Sequence, residues 1–142
     1  MSKLSMSTIY RSESVTDTEC YGEQLAQELC GGKVVALFGD LGMGKTALVR
    51  GIARGLNLNA EVSSPTFALV HDYGGTPPLV HFDMYRVCGW EDLYSTGYYD
   101  YLDARAILVI EWSENIEGAL PADAVRIRIT APNDGVRLIE RE

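Results

Sequence analysis

The run Gly39-Asp40-Leu41-Gly42-Met43-Gly44-Lys45-Thr46 constrains this chain more than any other stretch. It fits G-x-x-x-x-G-K-[ST], a phosphate-cradling P-loop, and its flanks agree with that reading. Val34-Val35-Ala36-Leu37-Phe38 before it suits a strand buried on both faces, and Leu48, Val49, Ile52, Ala53 and Leu56 after it recur at helical spacing. A loop that wraps phosphates must aim successive backbone N–H groups inward, which glycine permits without steric cost. The following helix adds unpaired N–H groups and the positive end of its dipole. Lys45 then supplies a point charge for the outer phosphates and Thr46 a hydroxyl for Mg²⁺.

The rest of the composition limits what such a loop can serve. The chain has 142 residues, which predicts one domain over 1–142, and carries a formal net charge of -8. Its only lysines are Lys3, Lys33 and Lys45, so one of them sits in the loop, focused against an otherwise acidic surface. That balance argues against gripping RNA or DNA unaided, which needs clustered Lys and Arg. Cys20, Cys30 and Cys88 are odd in number and lack C-x-x-C spacing, so they read as reduced thiols. No signal-like N-terminus or membrane-length apolar run is present, and the expected location is the cytoplasm.

Along the chain, Ser7 to Ser12 predicts a first strand, and Ser14 to Thr18 offers N-caps for a helix bearing Tyr21, Leu25 and Leu29 that Gly31-Gly32 would end. Val62 to Phe67 reads either as a loop whose small side chains suit passage over a phosphate or as an ordinary loop entering a strand. Ala68 to Tyr73 and Leu79 to Met84, joined through Gly74 to Pro78, predict an antiparallel pair. Glu91 to Asp103 reads as short helices broken at Gly97, with tyrosines among acids that suit either a protein contact or half-burial on the core. Ala106 to Ile110 is a second buried strand, ending in Glu111-Trp112. A brief helix then starts at Ser113 or Glu114 and stops before Pro121. Two further strands, Ala124 to Ile129 and Val136 to Glu140, flank a turn at Asn133-Asp134-Gly135. The whole predicts a three-layer α/β, P-loop NTPase fold with central parallel strands and antiparallel edge strands.

A P-loop also needs an acid at the tip of another buried strand, because Mg²⁺ asks for oxygen ligands. Glu111 and Asp83 both qualify, and the roles of metal ligand and water-orienting acid stay open between them. His71 and His81 have no ligand-spaced Cys or His, so they read as structural and zinc is not expected. Arg50 and Arg54, one turn apart, suggest a solvated face. Trp112 either packs over the nucleotide or fills core. No lysine follows Lys45, so the N-K-x-D signature for guanine is absent and adenine nucleotide is favoured.

Four ordered blocks carry a resemblance: the P-loop, Ser64-Pro65-Thr66-Phe67, His81-Phe82-Asp83-Met84-Tyr85-Arg86, and Glu111-Trp112. Together they resemble the small P-loop ATPases of bacterial tRNA threonylcarbamoyladenosine biosynthesis, the TsaE or YjeE family. The resemblance implies slow or partner-dependent hydrolysis of ATP to ADP with Mg²⁺, alongside TsaB and TsaD, with tRNA met only through that complex. It implies that Lys45 binds phosphates, that Thr46 and Glu111 are metal-side ligands, and that Asp83 is a catalytic or metal-associated acid. Ser64 and Thr66 would form a switch-like loop near the γ-phosphate, with Trp112 beside the site. Base contacts map loosely to Val15 through Thr18 and to Gly135. Val136 separates Gly135 from Arg137 where the family often has Gly-Arg adjacent. Two other readings remain: a nucleotide-dependent adaptor with incidental hydrolysis, and a small-molecule kinase, for which no arginine-bearing lid is evident.

Overall fold

A computed structural model of the chain describes residues 8–39, 44–58 and 70–142. Its elements follow from local sequence rules. Strand β1 (Thr8–Ser12) leads to helix α1 (Val15–Ala26), which starts where the Ser14 side chain accepts from the Asp17 N–H. Strand β2 (Val34–Phe38) is buried at every residue and hands over to helix α2 (Lys45–Gly55). Strands β3 (Val70–Gly75) and β4 (Pro78–Asp83) form the expected antiparallel pair. Helices α3 (Trp90–Ser95) and α4 (Tyr98–Asp103) break at Gly97, whose φ of +86° suits glycine. Strand β5 (Ile107–Glu111) is again wholly buried, and a 3-10 helix spans Ser113–Ala119. Strands β6 (Val125–Asn133) and β7 (Val136–Arg141) close the chain as a hairpin.

One difference from the sequence reading concerns α1. The helix stops at Ala26, before Leu29, although Leu29 is still buried. Successive turns, Gln27 N–H to Gln24, Glu28 to Leu25 and Leu29 to Ala26, tighten the end of the helix and fold Leu29 back under it. Apolar spacing thus ran past the helix end because burial, not helicity, is what it reports.

Among the described residues the strands form one seven-stranded sheet in the order β1-β7-β6-β2-β5-β4-β3. β6, β2, β5 and β4 run parallel, while β1 and β7 at one edge and β3 at the other are antiparallel. Alternation along each strand divides the core into two layers. Val35, Leu37, Leu79, Ile107 and Val109 pack with Leu25 of α1 and Leu48, Val49 and Ile52 of α2. Val34, Val80, Phe82, Leu108 and Ile110 pack with Leu93, Tyr98 and Ile116 on the other side. Helices therefore cover both faces, as a parallel sheet requires.

The tyrosines of the α3–α4 region divide between the two roles the sequence left open. Tyr98 is fully buried, with its hydroxyl donating to the Ala119 carbonyl, whereas Tyr94 and Trp90 are exposed and touch each other edge to face. No helix of the described residues is long and apolar enough to cross a membrane.

Candidate active site

Because β2, β4 and β5 are parallel, their C-terminal ends gather at one edge of the sheet, the position where open α/β sheets bind ligands. Parity then decides which side chains meet there. Glu111 continues the Ile107, Val109 series on the α2 face, and His81 and Asp83 continue the Leu79 series on the same face. The start of α2 lies against that face.

Gly39 leaves β2 with φ +124°, and a Cβ there would stand 2.4 Å from the Ile129 carbonyl oxygen, so only glycine fits. Gly44 is the N-cap of α2 and brings no side chain to its first-turn N–H groups, and no acid occupies that turn. The orphan donors and the dipole are left available to an anion.

Lys45 is only 2% exposed. Its Nζ donates to the Gly39 carbonyl at 3.1 Å, lies 4.0 Å from Glu111 Oε1, and stands 5.2 Å from the centre of the Trp112 ring. A buried ammonium is costly unless it is paired. Among the described residues the nearest carboxylate, Glu111, is too far for a hydrogen bond, so it balances the charge without capping it.

Glu111 is itself buried, and its Oε2 accepts from His81 Nε2–H at 2.6 Å. Facing a carboxylate, Nε2 must carry the proton. His81 is fully buried, and among the described residues its Nδ1 and the Trp112 Nε1 have no hydrogen-bond partner.

Asp83 stands level with Glu111 in the β4–β5 register, and its Oδ1 accepts from the Tyr85 N–H at 2.9 Å. Partial burial pushes its carboxyl above the usual range; the Tyr85 hydrogen bond opposes that rise and the neighbouring Glu111 charge adds to it. Trp112 turns away from the end of β5 at φ +60°, a conformation uncommon for a bulky residue, and its ring packs on Tyr85 at 4.9 Å between centroids. Such strain at a strand tip beside a buried lysine is a mark of functional sites.

The donor set suits Mg²⁺. Thr46 in the first turn of α2 offers a hydroxyl, and Glu111 and Asp83 offer carboxylates, all hard oxygens. Among the described residues no group of three or more His, Cys, Asp or Glu forms a metal cage. Mg²⁺ shared with phosphates and water does not need one.

Of the residues singled out by sequence, Gly39, Gly44, Lys45, Glu111 and Trp112 come together, with Thr46 and Asp83 alongside. Asp40, Leu41, Gly42, Met43, Ser64 and Thr66 lie outside the described residues. Val15 is exposed at the start of α1, and the Thr18 hydroxyl is buried against Ser12 Oγ at 2.7 Å. Gly135 forms the β6–β7 turn at φ +76°. The Arg137 side chain lies beside Gly44, where an added Cβ would meet it at 3.7 Å, so the start of β7 borders the N-terminus of α2. Arg50 and Arg54 are not simply solvated: both pair with Glu19 of α1, and Arg54 also with Glu23.

Sequence reasoning took His81 as a structural histidine, and the structure pairs it with Glu111. Its spacing from Asp83, two residues on a strand, was the available signal, since it places both on one face. Pairing with Glu111, thirty residues away, required the sheet.

Comparison with known proteins finds relatives of this chain and of its fold. A family model described as threonylcarbamoyl adenosine biosynthesis protein TsaE matches residues 12–139. A tRNA threonylcarbamoyladenosine biosynthesis protein TsaE of Treponema pallidum is 38% identical over 128 residues, covering 90% of this chain and 95% of that relative. Its Streptomyces coelicolor namesake is 41% identical over 111 residues, covering 76% and 75%. The crystal structure of Bacillus subtilis YdiB superposes with a TM-score of 0.80 at 29% identity, over 99% of this chain and 87% of that one.

Proposed function

This chain belongs to the TsaE family of threonylcarbamoyl adenosine biosynthesis proteins, and from that premise we propose that it is the ATP-binding and ATP-hydrolysing component of the machinery that makes N6-threonylcarbamoyladenosine at position 37 of tRNA. It works in the cytoplasm with TsaB and TsaD and meets tRNA only through them. Its charge of -8 favours that indirect contact.

The observation that carries the reading is Lys45: a buried ammonium held 3.1 Å from the Gly39 carbonyl and 4.0 Å from Glu111, at the N-terminus of an uncapped helix. Such an arrangement calls for an anion to complete it. Lys45 and the first-turn N–H groups bind and orient the phosphates. Thr46 and Glu111 would hold Mg²⁺, which would supply charge neutralisation to the phosphates. Asp83, its carboxyl pushed up by partial burial and further by the Glu111 charge, would orient the attacking water or a water at Mg²⁺. Trp112 borders the site, with its ring near Lys45 Nζ and packed on Tyr85.

Phosphate release from Mg-ATP tests the reading, measured for the chain alone and with TsaB and TsaD. Slow release that rises with the partners and is absent from Lys45→Ala is expected. Tight ATP binding with no release in any mixture would instead make this a nucleotide-dependent adaptor.

A further inference from the structure

Glu111 uses its two oxygens differently. Oε2 accepts the short hydrogen bond from His81, while Oε1 faces Lys45 Nζ at 4.0 Å without bonding to it. Both charged partners and the imidazole are buried. In that low-dielectric setting a carboxylate and an ammonium attract strongly and would close to direct contact if nothing restrained them. The charge-assisted bond on the far oxygen is such a restraint.

Taking Lys45 and Glu111 as parts of a nucleotide site, as proposed for this chain, we infer from the geometry that His81 is a positioning residue that holds Glu111 off Lys45. Lys45 thereby keeps its charge for phosphate, and Oε1 stays turned toward the metal side.

The sheet makes this restraint stiff. His81 is paired in register with Val109, two residues before Glu111, so its ring reaches one step along the neighbouring strand to the tip. It does so from a strand interior, with the Tyr73 ring 6.3 Å away, and not from a loop. What matters is a donor at the Nε2 position. A glutamine amide nitrogen reaches close to that position, an asparagine amide falls near Nδ1, and leucine offers no donor.

The test uses the full chain with ADP, with Mn²⁺ titrated as a paramagnetic probe for Mg²⁺ and followed by the loss of its free electron paramagnetic resonance signal. Relative to wild type, His81→Leu and His81→Asn bind Mn²⁺ about 10–100-fold more weakly, while His81→Gln stays within about threefold. Metal-free ADP affinity, measured separately, follows the same order because Glu111 then closes on Lys45. Wild-type affinities in His81→Leu would overturn the inference, as would equal losses in the Gln and Asn variants. If the Leu variant does not fold, the contrast between Gln and Asn decides alone. A wild-type chain that takes up no Mn²⁺ with ADP would overturn the site reading itself, and the role of His81 with it.

Discussion

Two carboxylates end adjacent parallel strands here, and their environments differ. Glu111 is held by His81, whereas Asp83 has one backbone hydrogen bond and a carboxyl pushed upward by burial and by Glu111. A carboxylate whose folded pKa exceeds its unfolded value binds its proton more tightly when folded. Its stabilising contribution is therefore present at low pH and is lost as pH rises through the folded value. Asp83→Asn should accordingly melt about 1–3 °C above wild type near pH 8, the effect being kept small by solvent at the exposed edge, and the gain should shrink toward pH 4. A difference in melting temperature that does not change with pH would refute this. The same variant should lose roughly 10²–10⁴ in partner-stimulated hydrolysis, the range for a positioned acid or base. Stability gained where activity is lost would mark Asp83 as a residue kept for chemistry.

At the scale of elements, the α2 helix that carries Lys45 is seated by close backbone contact with α1. A Cβ on Gly51 would stand 2.1 Å from the Glu19 carbonyl oxygen, one on Gly22 2.4 Å from that of Leu48, and one on Gly55 2.7 Å from the Ala26 Cβ. Gly51→Ala should cost about 1–3 kcal/mol by overpacking, read as a shifted denaturation midpoint. Gly118→Ala, where nothing lies within 4 Å of an added Cβ, should stay within about 0.5 kcal/mol. Equal effects would contradict the account of how α2 is held.

Elements such as β2 and β5 were legible because uniform apolar runs bounded by glycine or acid have few other solutions. The interhelical glycines Gly22, Gly51 and Gly55 were not, since no sequence pattern shows that the two backbones touch. The end of α1 was missed for the related reason that Leu29 is buried without being helical.

Over the whole molecule, the parallel order β6-β2-β5-β4 puts the ends of three strands at one edge, so residues from Gly39, Asp83 and Glu111 outward share a site. The P-loop and the strand-tip acids were candidates by local rules, and Trp112 was set beside the site by the family resemblance alone. His81 was no such candidate, because its importance lies in a partner on another strand. The acidic surface predicts that tRNA alone binds weakly and with little dependence on nucleotide, measurable by filter retention. Tight tRNA binding by the isolated chain would contradict partner-mediated contact.

The central claim is that Lys45 and the start of α2 hold nucleotide phosphates, with Mg²⁺ at the Glu111 side. Titration calorimetry of ATP into the wild-type chain and Lys45→Ala, each with Mg²⁺ and with chelator, tests it most directly. Wild type should bind more tightly with Mg²⁺, and Lys45→Ala should lose about 10–100-fold, the value of a charge-assisted contact worth roughly 1.5–3 kcal/mol. Equal affinities in the two proteins, or binding indifferent to Mg²⁺, would contradict it.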